Sequence, residues 1–550
     1  MCHLLIKFSI CDTIFKCIGH NIVVMKSKIK IDKIKINIRC REIKYQDQFK
    51  LYSKLSDNGN NTSLLMESKS LNLKYGRQSI IVPDPAVKIT AKGETFTIKA
   101  LNEFGKKILT LFSNSDFFFA YNLLISTDII KGKVKKEIDK NITSDNIIKM
   151  KNVSIVLKTI LNKFDSNCSY AALYGAFSYE FSKNFHNLTL IKNSKSNLIK
   201  NSESVGDFVF FIPSSVYVFD DIKEKAELLE FSFDSISNSN INGYIITEKL
   251  KPISLEQSNS LSIDKSSYLN YNHAKKKLSY DMSEQEYKLK ADQVIKDIRN
   301  GRAMQCVLSR SITLPLIQHP LLSYTKLRKI NPSPYSFFYN FGDNEFLYGA
   351  SPEMHIVVKK GVIEIRPIAG TISRSNNVLK DASARINLLT DEKEKREHTM
   401  LVDLARSELH AICVDDSVYI SDLFTIEEYP NLYHLVSGVK GELKSKINAI
   451  DAMLITLPAG TLSGAPKLEA MKMIEQYESS PRNFYGGSIG FLSFNGDCNT
   501  GITIRSVHVK NNFSIIRAGG GIVSLSNPEN ELNETKLKMS KTLSVLGVEL

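Results

Sequence analysis

At 550 residues the chain is long enough for more than one well-buried core, and 43% hydrophobic with 24% charged residues is the balance of a globular, not a disordered, protein. A net charge of +14 admits a nucleic-acid partner, but the lysines are scattered among Asn, Ile and Ser without a compact basic motif, so no such partner is expected. No apolar run is long enough for a membrane span, and eight cysteines without CxxC spacing point to a reduced, cytoplasmic compartment.

Residues 1–45 are read as an extension without an assigned role. Met1–Val24 mixes apolar stretches with His3, Lys7, Asp12, Lys16 and His20, unlike a signal peptide or anchor, and Met25 is an alternative start. Residues 46–235 form a first lobe. Within it SLLMES, SIIVP, AVKITAKG and ETFTIKAL alternate like short strands up to about Phe112. AALYGAFSYEF (171–181) reads as a glycine-interrupted strand or a strand-to-helix junction, and 193–207 as a loop. Residues 236–282 connect to a second domain, 283–550.

That domain opens with a helix. Ser283 and Glu286 have capping-box spacing, Tyr287, Ala291, Val294, Ile295 and Ile298 share a face, and Gly301 stops it. Strand-like CVLSRSITL, YSFFYNF and FLYGASPEMHIVVKKGVIEIRPIAG follow, then a long helix through Glu394, Glu397 and His398. Near the end, SIGFLSF and NTGITIRSVHV form a hairpin turning at Asn495-Gly496, FSIIRAGGGIV follows a second turn, and a last helix starts after Pro528. The class is α+β in two lobes.

Glu394 and Glu397, and Glu531 and Glu534, stand at i and i+3, so each pair shares one helix face. Two such faces brought together make an all-oxygen site for a hard divalent ion. A di-iron bundle would want a histidine in each motif.

GASPE (349–353), PIAGT (367–371), EHTMLVDLAR (397–406), HLVSGVKGEL (434–443), LPAGTLSGAPK (457–467), FYGGSIGF (484–491), IRS (504–506), RAGGGIV (517–523) and NELNET (530–535) follow in order. Together they resemble the chorismate-utilising enzymes, and among these the anthranilate synthase large subunits. LLMES (64–68) and YGAFSYEF carry the likeness more weakly into the first lobe. The resemblance implies large antiparallel sheets packed face to face with helices outside, and a lyase of tryptophan biosynthesis that makes anthranilate and pyruvate from chorismate and ammonia.

The same resemblance implies Mg²⁺ held by Glu397 and Glu534, with Glu394 and Glu531 acting through water. Gly370, Thr371, Tyr485, Arg505, Gly519, Gly520, Gly521 and Lys538 would contact chorismate, with Arg505 suited to a carboxylate by its planar fork. Glu353 would protonate the departing C4 hydroxyl, which requires a carboxyl kept neutral. His434 and Thr461 would line the same pocket, His434 serving the half of the reaction that expels pyruvate, and His398 is taken as structural. Relatives making isochorismate or aminodeoxychorismate carry lysine where this chain has Ala369. A methyl group neither activates water nor forms an adduct, so it leaves room for external ammonia.

No cysteine sits in a Gly-x-Cys-x-Gly elbow. The resemblance therefore implies a separate glutamine amidotransferase subunit (component II), in a heterotetramer of two large and two small chains. It also implies a tryptophan feedback site at Ser68, Pro334, Tyr335 and Ser336, the last replacing an expected methionine. Three other readings stand beside this one: another chorismate enzyme such as aminodeoxychorismate synthase, a basic nucleic-acid-binding protein, and a catalytically dead regulatory subunit.

Overall fold

Two 13-stranded sheets, antiparallel apart from one short parallel pair, carry the fold, and each draws strands from both halves of the chain. The computed structural model describes residues 33–68, 77–137, 143–186, 205–233, 278–375, 377–429 and 432–548. The readings of Met1–Val24, of most of the 193–207 loop and of nearly all of the 236–282 connection lie outside these residues.

In the first sheet Ser63–Glu67 hydrogen-bonds to Tyr335–Gly342, which joins six N-terminal strands to those of the second half. Ala172–Phe177 against Ser488–Ser493 does the same in the other sheet. The expected lobes are thus continuous through paired backbone. Ile34–Ile43, within the extension, is a strand paired along Lys225–Phe233.

The inner faces supply one large core. Leu64, Ile80 and Leu347 from the first sheet pack with Val87, Ile89, Phe177 and Leu492 from the second. Alternate side chains of each strand point inward, which is why SLLMES, SIIVP and AVKITAKG were legible as strands. Helices cover the outsides. Glu284–Arg299 matches its expected face residue for residue: Ser283 accepts from the Glu286 N–H, and Tyr287, Ala291, Val294, Ile295 and Ile298 are buried. The Glu286 carboxylate pairs with Lys290 instead of returning to the cap.

The four N-terminal strands are found as read, but the stretch ends in a helix, Glu103–Thr110, capped by Asn102. Pro320–Ile330 and Val378–Thr390 are further helices that the pattern did not disclose. The glycine triplet, which could have been a turn, lies inside the strand Phe513–Ile522 and pairs with Val307–Ser309. Among the described residues no helix is long and apolar enough to cross a membrane, and Cys40, Cys168, Cys306, Cys413 and Cys498 are free thiols.

Candidate active site

Strand Ile368–Ser373 pairs with Leu432–Glu442, but its register shifts between Ile368 and Thr371. The shift throws out Ala369 and Gly370 as a bulge, and Gly370 adopts φ +92°, which a residue with a Cβ resists. His398, fully buried on the helix Glu392–Ile412, ties the bulge down: its Nδ1 lies 3.1 Å from the Ala369 carbonyl and its Nε2 2.7 Å from the Ser437 hydroxyl. The structural role expected for His398 is therefore a specific one, holding Ala369 in place.

Thr371 faces His434 across the ladder, with 2.7 Å between hydroxyl and Nδ1. Tyr429 meets the imidazole edge-on at a centroid separation of 4.9 Å. Burial, reinforced by the charge of Arg505 and opposed by a hydrogen bond with the Gly370 backbone, brings the His434 pKa down to about 4. The ring is thus neutral at physiological pH.

Glu353 follows the strand Glu345–Ser351 and is 7% exposed. Burial pushes its carboxyl up to about 7, against the opposing pull of the Thr461 hydroxyl, Lys538 and Arg505. The Thr461 hydroxyl lies beside this carboxyl without aligning into a full hydrogen bond. A small recess of about 30 Å³ opens next to Glu353 and Thr461, walled by Leu401, Leu404 and Ala405. A carboxyl poised near neutrality can give or take a proton.

The opposite wall is built on the glycine triplet. A Cβ at Gly520 would stand 2.6 Å from the Glu531 carboxylate, and one at Gly519 would stand 3.1 Å from the Tyr485 hydroxyl. Glycine here lets the last helix, Pro528–Val545, bring its acids onto the strand. The neighbouring strand Ser506–Lys510 pairs with it only from Phe513 to Ile516, so beyond Ile516 that edge leaves the strand ladder. Lys538 bonds to the Gly519 carbonyl at 2.8 Å and to Glu534 at 2.5 Å, and Arg505 donates to the Lys538 carbonyl at 3.0 Å. The Arg505 charge is felt by His434, Glu353 and Glu534 alike, which places it between the walls.

The metal question turns on the four acids. Glu394 lies against Gly370 on one wall, and Glu531 and Glu534 lie against Gly520 on the other. Glu397 shares the Glu394 helix, one turn on. Among the described residues no three His, Cys, Asp or Glu side chains are close enough to hold an ion as they stand, and Glu534 is paired with Lys538. The donors are all carboxylate oxygens, the chemistry that suits Mg²⁺.

Sequence reasoning missed a buried support beneath this site. Arg482 donates to Glu478 at 2.9 Å, to the Leu462 carbonyl beside Thr461 at 2.6 Å, and to the Val307 carbonyl at 2.7 Å. Its guanidinium lies 5.6 Å from the Tyr485 ring centre. Arg517 adds a second cation on Glu478. The available signal was Glu478 and Arg482 at i,i+4 just before Phe484-Tyr485.

The two segments expected to form a feedback site lie on adjacent strands: Ser336 pairs with Glu67 and Phe337 with Met66. Pro334 and Tyr335 lead into that pairing, and Ser68 continues past it, its N–H donating to the Gln78 carbonyl at 3.2 Å. Ser336 is buried and bonds to the Ser333 carbonyl at 3.2 Å.

A family model described as chorismate binding enzyme matches residues 126–544. An anthranilate synthase component 1 from Buchnera aphidicola subsp. Rhopalosiphum maidis is 33% identical over 496 residues, 88% of this chain and 92% of that protein. One from Spirochaeta aurantia is 44% identical over 271 residues, 49% of this chain and 56% of that protein. Among solved structures, anthranilate synthase component I from Streptococcus pneumoniae TIGR4 superposes with a TM-score of 0.60 at 28% identity, covering 85% of this chain and 92% of that one. The menaquinone-specific isochorismate synthase of Escherichia coli shares the fold, with a TM-score of 0.59 at 14% identity over 94% of this chain and 95% of that one.

Proposed function

The chain belongs to the chorismate-binding enzyme family, and from that premise we propose that it is a lyase converting chorismate and ammonia to anthranilate and pyruvate through aminodeoxyisochorismate. The observation that carries the reading is the Ala369–Gly370 bulge, pinned by His398, with a methyl group where a lysine nucleophile or base would otherwise project. Ammonia adds at C2 while the C4–O bond breaks, and the hydroxyl leaves as water with the Glu353 proton. Loss of the C2 proton and cleavage of the enolpyruvyl ether then give the aromatic ring and enolpyruvate, which takes up a proton at its methylene carbon to become pyruvate.

Arg505, the backbone edge beside Gly519–Gly521, and Tyr485 receive the enolpyruvyl carboxylate. Gly370 and Thr371 lie along the ring, and Lys538, shared between Glu534 and the Gly519 carbonyl, borders the carboxylates. Neutral His434, oriented by Thr371, serves pyruvate expulsion, and Thr461 tunes Glu353. Glu397 and Glu534 would hold Mg²⁺, with Glu394 and Glu531 behind them through water. The ion, when bound, supplies positive charge to the ring carboxylate.

Ammonia comes from a separate glutamine amidotransferase subunit, in a heterotetramer of two chains of each kind, in the cytoplasm. Tryptophan inhibits at the joint formed by Ser68, Pro334, Tyr335 and Ser336; what supports this is the strand pairing that brings the two segments side by side.

The test is incubation of the purified chain with chorismate, Mg²⁺ and ammonium at pH 8, followed by product fluorescence. Anthranilate formation that stops on chelation is expected. Chorismate recovered unchanged, or converted to a non-aromatic amine, overturns the reading.

A further inference from the structure

The recess beside Glu353 is apolar along one helix and polar elsewhere. Leu401, Leu404 and Ala405 come from the helix Glu392–Ile412, while Glu353, His355 and Thr461 are among its polar walls. Two of these walls carry a buried polar atom that the protein itself does not satisfy. The Thr461 Oγ1 makes no aligned bond with the Glu353 carboxyl next to it. His355, on the strand Met354–Lys359, is 2% exposed, and its Nδ1 lies 3.0 Å from the Ser488 hydroxyl. Its Nε2 has no aligned hydrogen bond among the described residues, although the Thr456 backbone is close by. Buried polar groups in this position are as a rule met by an ordered water, and cavities that stay dry are apolar ones. A space of about 30 Å³ takes one water or two, at the roughly 10–15 Å³ that each requires.

We propose that this recess is a water site and that it receives the C4 oxygen of chorismate as it departs, a proposal that rests on the function given above. The ammonia lone pair forms the C2–N bond, the ring double bonds shift, and the C4–O electron pair leaves on oxygen, which takes the Glu353 proton. The new ammonium group sheds one proton, so that ammonia and the hydroxyl become an amine and one water. That water is made against a carboxyl that lines the recess and also feels Arg505 and Lys538 in the cleft. Thr461 and His355 can then hold it away from C4, which keeps the displacement from running backwards. Position tells this water from the incoming ammonia. The recess adjoins the acid that serves C4, and Ala369, beside which ammonia adds, is not one of its described walls.

Two variants fill the recess by different routes. Ala405→Val adds two methyl groups at a wall residue that is 4% exposed. Gly460→Ala, at another wall, sets a Cβ 2.4 Å from Leu404 Cδ2 and crowds that side chain. Ala411→Val, on the same helix as Ala405 but not at a wall, serves as control. Each is assayed with chorismate, Mg²⁺ and ammonium, and again with aminodeoxyisochorismate in place of chorismate and ammonium. The two filled variants are expected to lose about tenfold or more in kcat from chorismate, with KM for chorismate and for ammonium within about twofold of the parent. From aminodeoxyisochorismate, whose C4 oxygen has already gone, their kcat stays within about twofold. Ala411→Val keeps both rates. Crystals of the unliganded parent should show a water within hydrogen-bond reach of Thr461 Oγ1 and His355 Nε2.

Unchanged rates in both filled variants overturn the proposal. So does equal slowing from the two substrates, which reports damage to the whole site, and so does a raised KM for ammonium at unchanged kcat, which gives the recess to the nucleophile. A recess without ordered water in the parent crystal overturns it with no variant needed. If the parent makes no anthranilate from chorismate and ammonium, it is the proposed function that fails, and the crystal still decides whether the recess is a water site.

Discussion

The cleft and the joint between Ser63–Glu67 and Tyr335–Gly342 both bury carboxyl groups, yet they treat them oppositely. In the cleft, Glu353 is enclosed with only a hydroxyl beside it and two cations at electrostatic range, so its acid form is favoured up to about 7. In the joint, Glu67 is as deeply buried, but Arg328 meets it with two hydrogen bonds, of 2.9 and 2.5 Å, and the Tyr324 hydroxyl adds a third at 2.7 Å. Phe49 covers that guanidinium at 4.6 Å. Burial with the partner withheld creates a group that exchanges protons; burial with the partner supplied creates a fixed strut. The carboxyl proposed for catalysis and the structural one thus differ in their company, not in their depth.

The largest effect should come from replacing the under-partnered group. Glu353→Gln removes the proton donor and is expected to lower kcat/KM by about a hundred- to ten-thousand-fold. The same change should stabilise the fold under alkaline conditions. The folded-state pKa of Glu353 is raised from 4.5 to about 7. Its contribution is therefore fully favourable below the lower value and is lost as pH rises through the upper one. Glutamine undergoes no such loss, so the variant should gain up to about 3 kcal/mol over the parent at pH 8 and almost nothing at pH 5. Thermal unfolding at the two pH values checks this. A variant whose advantage over the parent is no larger at pH 8 than at pH 5 would mean that burial does not hold the Glu353 carboxyl in its acid form.

Glu67→Ala should act in the reverse sense, leaving chemistry intact where the protein folds and destabilising it by roughly 3–5 kcal/mol, because Arg328 loses its buried partner. Replacing both by methionine should recover most of that loss. Denaturation midpoints for the three variants make the comparison, and equal losses in the single and double variants would contradict the strut.

How much of this was legible in the sequence follows from how far each feature reaches along the chain. Helix Glu284–Arg299 declares itself within one turn through Ser283 and its apolar face, and the acids at 394, 397, 531 and 534 announce two helix faces by spacing alone. Val378–Thr390 was overlooked because its outward stripe is apolar, which blurs the polar-to-apolar contrast that marks a surface helix. Non-local pairing was out of reach of periodicity: only the family resemblance, which puts Ser68 and Pro334–Ser336 in one site, brings SLLMES to YSFFYNF, some 270 residues later. Glu478 and Arg482 stand at i,i+4, a spacing that many surface couples share, and only burial reveals the pair as the support of Tyr485 and the Thr461 loop.

The pH profile tests the Glu353 side of the comparison in solution. With free NH₃ held constant, kcat/KM should fall above about pH 7 as Glu353 ionises, reaching about a tenfold loss one unit higher. His434, brought down to about 4, contributes no inflection above pH 5. Glu353→Gln should flatten the alkaline limb, and an unchanged limb in that variant would assign it to another group.

The smallest effect is expected at the joint, and it bears on how the two regions communicate. Tyr335 donates to the Asn499 side chain at 3.0 Å, and its ring packs on Gly501, where a Cβ would stand 2.6 Å away. Gly501 pairs with Met354, and the next residue, Ile502, donates to the Glu353 carbonyl at 3.0 Å. A ligand pressing on Tyr335 therefore acts on the strand that fixes the backbone of Glu353. Ser68 lies one residue past the Glu67–Ser336 rung, on the Tyr335 side of the pairing, where it can bond to an amino-acid ligand without touching the cleft. Ser68→Ala should raise the tryptophan concentration for half-inhibition about three- to tenfold, the worth of one hydrogen bond, and leave the uninhibited kcat unchanged. A fall in uninhibited kcat would make Ser68 part of the strut instead, while unaltered inhibition would move the ligand away from this joint.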